Sequence, residues 1–140
     1  MKLKKLKLTL ILILSPNFLW ANTQFFNEGL NFYKEKQFEK AKFKFEQDIV
    51  FNPKSEKSYL YLSKIFRNLN KKNLEEQNLK TVILLNPKNE EAIYNLAKLK
   101  LDTSDYKKSK ELNERLITLC NNFCSQGKKL KKEIEILSKK

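Results

Sequence analysis

Apolar residues recur along this chain at spacings of three and four, with polar clusters breaking the pattern at short intervals. Phe25, Gly29 and Phe32 share one face of a helix, and Phe38, Ala41 and Phe45 repeat the pattern after a polar break at Lys36-Gln37. Asn52-Pro53 ends this second helix, because the residue before a proline is driven out of helical geometry. The spacing predicts a first helix over about Thr23 to Glu35 and a second over about Phe38 to Val50. Neither can hide its aromatic face alone, so the unit needs a neighbour. A second pair carries Tyr59, Leu62, Phe66 and Leu69, then Leu79, Val82 and Leu85, around a polar turn from Asn68 to Asn73, with Ser55 placed as its cap. In a third pair Ile93, Leu96 and Leu101 face inward behind a capping Asn89, and the helix from Tyr106 through Leu112 and Leu116 to Leu119 is capped by Ser104 or Asp105. A seventh helix, Ser125 to Ser138, has one narrow apolar stripe of Leu130, Ile134 and Leu137 among Lys128, Lys129, Lys131, Lys132, Glu133 and Glu135.

Pro87 lies 34 residues after Pro53. That period, with the residues that repeat at it, resembles the tetratricopeptide repeat, a helix–turn–helix of about 34 residues. The first unit reads Phe25, Glu28, Gly29, Phe32, Ala41, Phe45 and Pro53, with Glu28 where leucine is usual. The second reads Tyr59, Leu62, Ser63, Phe66, Glu75, Leu79 and Pro87, with Glu75 in the place of alanine. The third, Ile93, Leu96, Ala97, Lys100, Ser109, Asn113 and Asn121, keeps the small residues and loses the aromatics and the proline. The resemblance covers roughly residues 22–121. It implies an all-α solenoid: repeats at residues 22–55, 56–89 and 90–123, the last degenerate, then a capping helix at 124–140 that covers the open end and shows water its polar side.

Residues 1–21 have a different character. Lys2, Lys4, Lys5 and Lys7 precede an apolar run from Leu8 to Leu14, Ser15-Pro16 breaks it, and Ala21 offers a small residue for cleavage. This is the plan of a secretory signal, and the run is too short to span a membrane by itself. Cleavage after Ala21 and export to a bacterial periplasm are expected. The alternative is an uncleaved segment that anchors the chain to the inner membrane.

Composition narrows the chemistry. The chain has no histidine, two cysteines and two glycines, so it lacks the commonest general base, a standard zinc site and a glycine-rich phosphate loop. No enzyme, no metal and no cofactor is expected. The net charge of +13 comes almost wholly from lysine, with Arg67 and Arg115 the only arginines. Nucleic-acid readers lean on arginine for bidentate contacts, so this charge reads as solvated helix faces and not as a nucleic-acid site. Cys120 and Cys124 sit at the bend before the last helix. In an exported chain, oxidation to a structural disulfide is expected, with a redox-active pair or free thiols as the alternatives.

Tetratricopeptide repeats generally bind other proteins along the face made by the first helix of each repeat. Carried over residue by residue, the resemblance implies that this face shows Phe26, Leu30, Tyr33 and Lys34, then Leu60, Lys64, Arg67 and Asn68, then Tyr94, Lys98 and Leu101. Its aromatics imply anchors and its cations imply acidic ligands. Some members of the family grip a terminal carboxylate with a lysine and an asparagine; Phe26 and Leu30 stand in those places here, so no such clamp is expected. The expected role is a monomeric scaffold or adaptor of the cell envelope whose partner is another protein, with no small-molecule substrate and membrane contact only through an uncleaved leader. A membrane-tethered accessory protein of envelope assembly is the alternative.

Overall fold

The computed structural model describes residues 17–139, with side-chain surroundings from Gln24 onward. Among the described residues the chain forms seven helices and no strand: α1 (Asn17–Lys34), α2 (Phe38–Phe51), α3 (Glu56–Asn68), α4 (Lys72–Leu85), α5 (Glu90–Asp102), α6 (Tyr106–Leu119) and α7 (Cys124–Leu137). The ends of α2 to α7 fall close to where the apolar spacing puts them. α1 differs: its described part reaches back past Thr23 to Asn17, inside the expected leader. The lysine cluster and apolar run of that leader lie outside the described residues. No described helix is long and apolar enough to cross a membrane.

The repeat is written into the backbone as well as the sequence. Lys36, Asn70 and Ser104, each 34 residues after the last, have φ of 59°, 56° and 61°. Each ends the first helix of its pair in the same way. Around Lys36, the Gln37 amide donates to the Phe32 carbonyl at 2.9 Å and the Lys36 amide to Tyr33 at 3.0 Å, a pairing repeated by Lys71 to Phe66 and by Asp105 to Lys100. These bonds satisfy carbonyls that a helix end leaves open.

The start signals fare unevenly. Asn89 accepts from the Ala92 amide at 2.8 Å and Asp105 from the Lys108 amide at 3.1 Å, as capping residues do. Ser55 occupies the N-cap position of α3 but makes no capping bond. Its hydroxyl donates instead to Ser58 Oγ at 2.9 Å, and Ser58 donates to the buried carboxylate of Asp48. A buried carboxylate without donors is costly, and that demand outcompetes the cap.

Two apolar clusters fill the solenoid. Ala41, Phe45, Leu62, Ile65 and Phe66 form the first, with Phe26, Phe32, Tyr33, Phe38 and Tyr61 packed around it. The second is mostly aliphatic and joins Leu79, Val82, Ile93, Leu96, Leu112, Leu116, Leu130 and Ile134. Gly29 lets α1 approach α2 closely: a Cβ there would stand 2.9 Å from the buried ring of Phe45. Glu75, in the place of the family's alanine, is buried and ion-paired to Arg67 at 2.6 Å. Glu28, where leucine is usual, pairs with Lys44 on α2 at 2.6 Å.

α7 closes the end as expected, burying Leu130 and Ile134 and exposing its lysines. It is also in register. Gly127, Leu130 and Ile134 stand 34 residues after Ile93, Leu96 and Lys100, and α7 packs on α5 as well as α6. It thus occupies the place of a fourth first-helix.

Candidate protein-binding face

The first helices stand side by side. Tyr61 of α3 meets Phe26 and Tyr33 of α1, with ring centroids 5.9 and 5.1 Å apart. Between α3 and α5, Lys64 Nζ lies 2.7 Å from the Glu91 carboxylate and Arg67 donates to Asn95 Oδ1 at 3.1 Å. Between α5 and α7, Lys98 lies 3.6 Å from Glu133. Tyr94 also packs against Phe123, just ahead of α7, with tilted rings 5.6 Å apart. One continuous face therefore runs across α1, α3, α5 and α7.

Of the residues carried over to this face, Phe26, Leu30, Tyr33, Lys64, Tyr94 and Lys98 are half-buried, and Lys34, Arg67 and Asn68 are exposed. Leu60 and Leu101 are not available to a ligand. They are 8% and 5% exposed and belong to the aliphatic core, because neighbouring helices close over those positions. Phe26 rests on Phe45 and Tyr61 as part of the first cluster. The Asn68 amide donates to the Lys64 carbonyl of its own helix at 2.9 Å.

The cations behave differently from the expectation. The resemblance implies that Lys64, Arg67 and Lys98 attract acidic ligands, yet each is ion-paired within the chain, to Glu91, Glu75 and Glu133. Arg67 is committed twice over, since its Nε donates to Glu75 at 2.7 Å while its other nitrogens reach Asn95. Intramolecular carboxylates thus neutralise the middle of the face. Period and residue type give no warning of this, because the acids come from other helices: Glu75 from α4, Glu91 from α5 and Glu133 from α7.

Three contributors are absent from the carry-over. Tyr61 lies at the centre of the aromatic group, stacked on Phe45 at 5.1 Å with the Lys64 ammonium 4.8 Å from its ring. Phe123 reaches the face from the loop before α7. Glu90 holds that loop: its carboxylate accepts the amides of Asn121, Asn122 and Phe123 at 2.7, 2.7 and 2.8 Å. Burial pulls the Glu90 pKa upward, but these donors outweigh it and hold the carboxyl below its ordinary range. The loop is closed by a disulfide between Cys120 and Cys124, whose α-carbons lie 4.9 Å apart. Cys120 is the left-handed residue that ends α6, so the pair spans the expected bend.

Among the described residues no group of three or more histidine, cysteine or acidic side chains is arranged to hold a metal. A crevice of about 500 Å³ between α6 and α7, lined by Asn113, Ile117, Ile134 and Glu135, lies where a second helix of a fourth repeat would pack.

No family model matches the sequence, and neither does any curated protein. Solved structures do match. The Arabidopsis OM64 TPR domain gives a TM-score of 0.72 at 22% identity, over 82% of this chain and 98% of that one. The TPR2B domain of yeast Sti1, in its pHsp70 complex, gives 0.78 at 12% identity, over 84% and 98%. The Yersinia enterocolitica type III secretion chaperone SycD, in complex with a peptide of the translocator YopD, gives 0.76 at 16% identity, over 90% and 98%. These likenesses establish the architecture: the described residues form a helical-repeat solenoid with a tetratricopeptide-like fold.

Proposed function

We propose that this chain is a non-enzymatic protein-binding scaffold that docks a partner peptide or helix on the face made by its first helices. One observation carries the reading: half-buried aromatic side chains, Phe26, Tyr33, Tyr61 and Tyr94, line a face that no other part of the described chain covers. Partly exposed rings on a rigid helical layer are effective anchors, because they bring large contact area at little cost in side-chain entropy. The Sti1 and SycD structures, described as complexes with pHsp70 and with a YopD peptide, support the analogy. The test is affinity capture from envelope extracts with the native chain beside a Tyr33→Ala/Tyr94→Ala variant. Arg67 stays intact, since it compensates the buried Glu75. A partner held by the native chain and lost by a variant of unchanged helicity supports the proposal; equal capture by both moves the site elsewhere.

The partner's compartment is proposed to be the bacterial cell envelope, reached through the N-terminal segment. Because the described part of α1 reaches back to Asn17, cleavage after Ala21 cuts within a helix. That feature favours a second reading, a membrane-tethered envelope-assembly protein that keeps its leader. Intact mass and fractionation of the native chain separate the two: a shortened soluble chain sinks the tethered form.

A further inference from the structure

The charge expected in the middle of the face is neutralised there, but it reappears at one end. Lys128 and Lys132 stand 34 residues after Tyr94 and Lys98. Since Gly127, Leu130 and Ile134 are buried as the register requires, α7 has the same rotation as α5, and Lys128 and Lys132 share the face of Tyr94 and Lys98. Lys129 adjoins them. All three are exposed, and among the described residues none has an ion-pair partner, whereas Lys64, Arg67 and Lys98 each have one. Of the acids of α7, Glu133 is turned to Lys98, while Glu135, 34 residues after Leu101, stands one turn from Lys132 at the edge of the crevice against α6 and leaves the three lysines with a net positive charge.

We infer that the binding face continues onto α7 and that Lys128, Lys129 and Lys132 form its basic end, built to take the carboxylates of an acidic segment of a partner protein. This rests on the first-helix face being the binding surface and adds the partner's polarity. The aromatic end at α1 and α3 takes apolar anchors; the lysine end takes acids. Helix axes stacked about 10 Å apart place the two ends about 30 Å from each other. An extended chain covers that distance in about nine residues. A peptide is favoured over a lipid surface, because Leu130 and Ile134 of the apolar stripe are spent in the core and α7 exposes a single large apolar side chain, Ile136, among the described residues, too little to insert into a bilayer.

The test uses an octaglutamate peptide, acetylated and amidated so that only side-chain carboxylates act, titrated into the full chain at low salt and followed by NMR. The expected shifts centre on Lys128, Lys129 and Lys132. Lys128→Glu/Lys132→Glu weakens binding by about tenfold or more, as removal of steering charges does. Lys71→Glu/Lys72→Glu, exposed lysines at the start of α4, leaves binding unchanged. Equal losses in both variants, shifts centred on Lys64 and Lys98, or no response to the peptide each overturn the inference. So does binding through the same lysines to vesicles containing phosphatidylglycerol with no response to the peptide. Capture of a partner through Tyr33 and Tyr94 reads the wider face separately, so loss of the basic end and loss of the binding face are distinguishable.

Discussion

Glu75 shows how a single residue can break the repeat pattern and still fit it. The sequence flags the departure, a carboxylate in the place of alanine, but not its remedy, because Arg67 comes from the preceding helix across the turn. The two partners are unequal: the Glu75 side chain is 4% exposed and that of Arg67 44%. Arg67→Ala is expected to cost about 3 kcal/mol, the low end for stranding a buried charge, whereas Glu75→Ala costs about 1 kcal/mol, since the freed guanidinium turns to water. Chemical denaturation of both variants checks the order. Acid should act through three other carboxylates. Lys44 and Gln24 hold Glu28, and Lys100 and Lys80 hold Glu76, below the ordinary range. Glu90 is lowered by its backbone donors against the pull of burial. Groups depressed in the folded state contribute stability that is complete above the unfolded pKa, about 4.3, and lost as pH falls through the folded values. Thermal melts should therefore weaken below that pH, and Glu90→Gln should start lower and lose less.

At the scale of elements, most of the fold is legible. Apolar spacing and the Asn-Pro stops locate α2 to α7, because those positions are decided by local sterics and by one buried face per helix. The reach of α1 back to Asn17 is not legible, since leader-like composition overlaps the helix there. The shared left-handed turn was also hidden, because it uses Lys36, Asn70 and Ser104 where glycine would have announced it. Side chains with a Cβ pay a steric penalty there, so Lys36→Gly is expected to stabilise the chain by roughly 0.5–1 kcal/mol despite glycine's unfolded-state entropy, read as a raised melting temperature. The cysteine pair was legible as a bend, but its service to Glu90 was not. Closing so short a loop contributes about 2 kcal/mol on the chain-entropy account. Reduction should lower the melting temperature and raise amide exchange at Asn121 to Phe123 while leaving the helices formed. Global loss of helicity would contradict that assignment.

At the scale of the molecule, the 34-residue period dictates an open layer of parallel first helices, and α7 extends it by one. The carried-over aromatics are half-buried on this layer, but the carried-over set departs from the expectation in two ways that share a cause. Leu60 and Leu101 are buried, and the central cations are neutralised, because each first helix is completed by the next one. A period identifies which positions repeat; it does not identify what the neighbouring copy supplies. The most direct measurement of the account is hydrogen exchange of the full chain with and without a partner recovered by capture. The expected protection falls on α1, α3, α5 and α7, with α2, α4 and α6 unchanged. Protection confined to α2, α4 and α6 would contradict it.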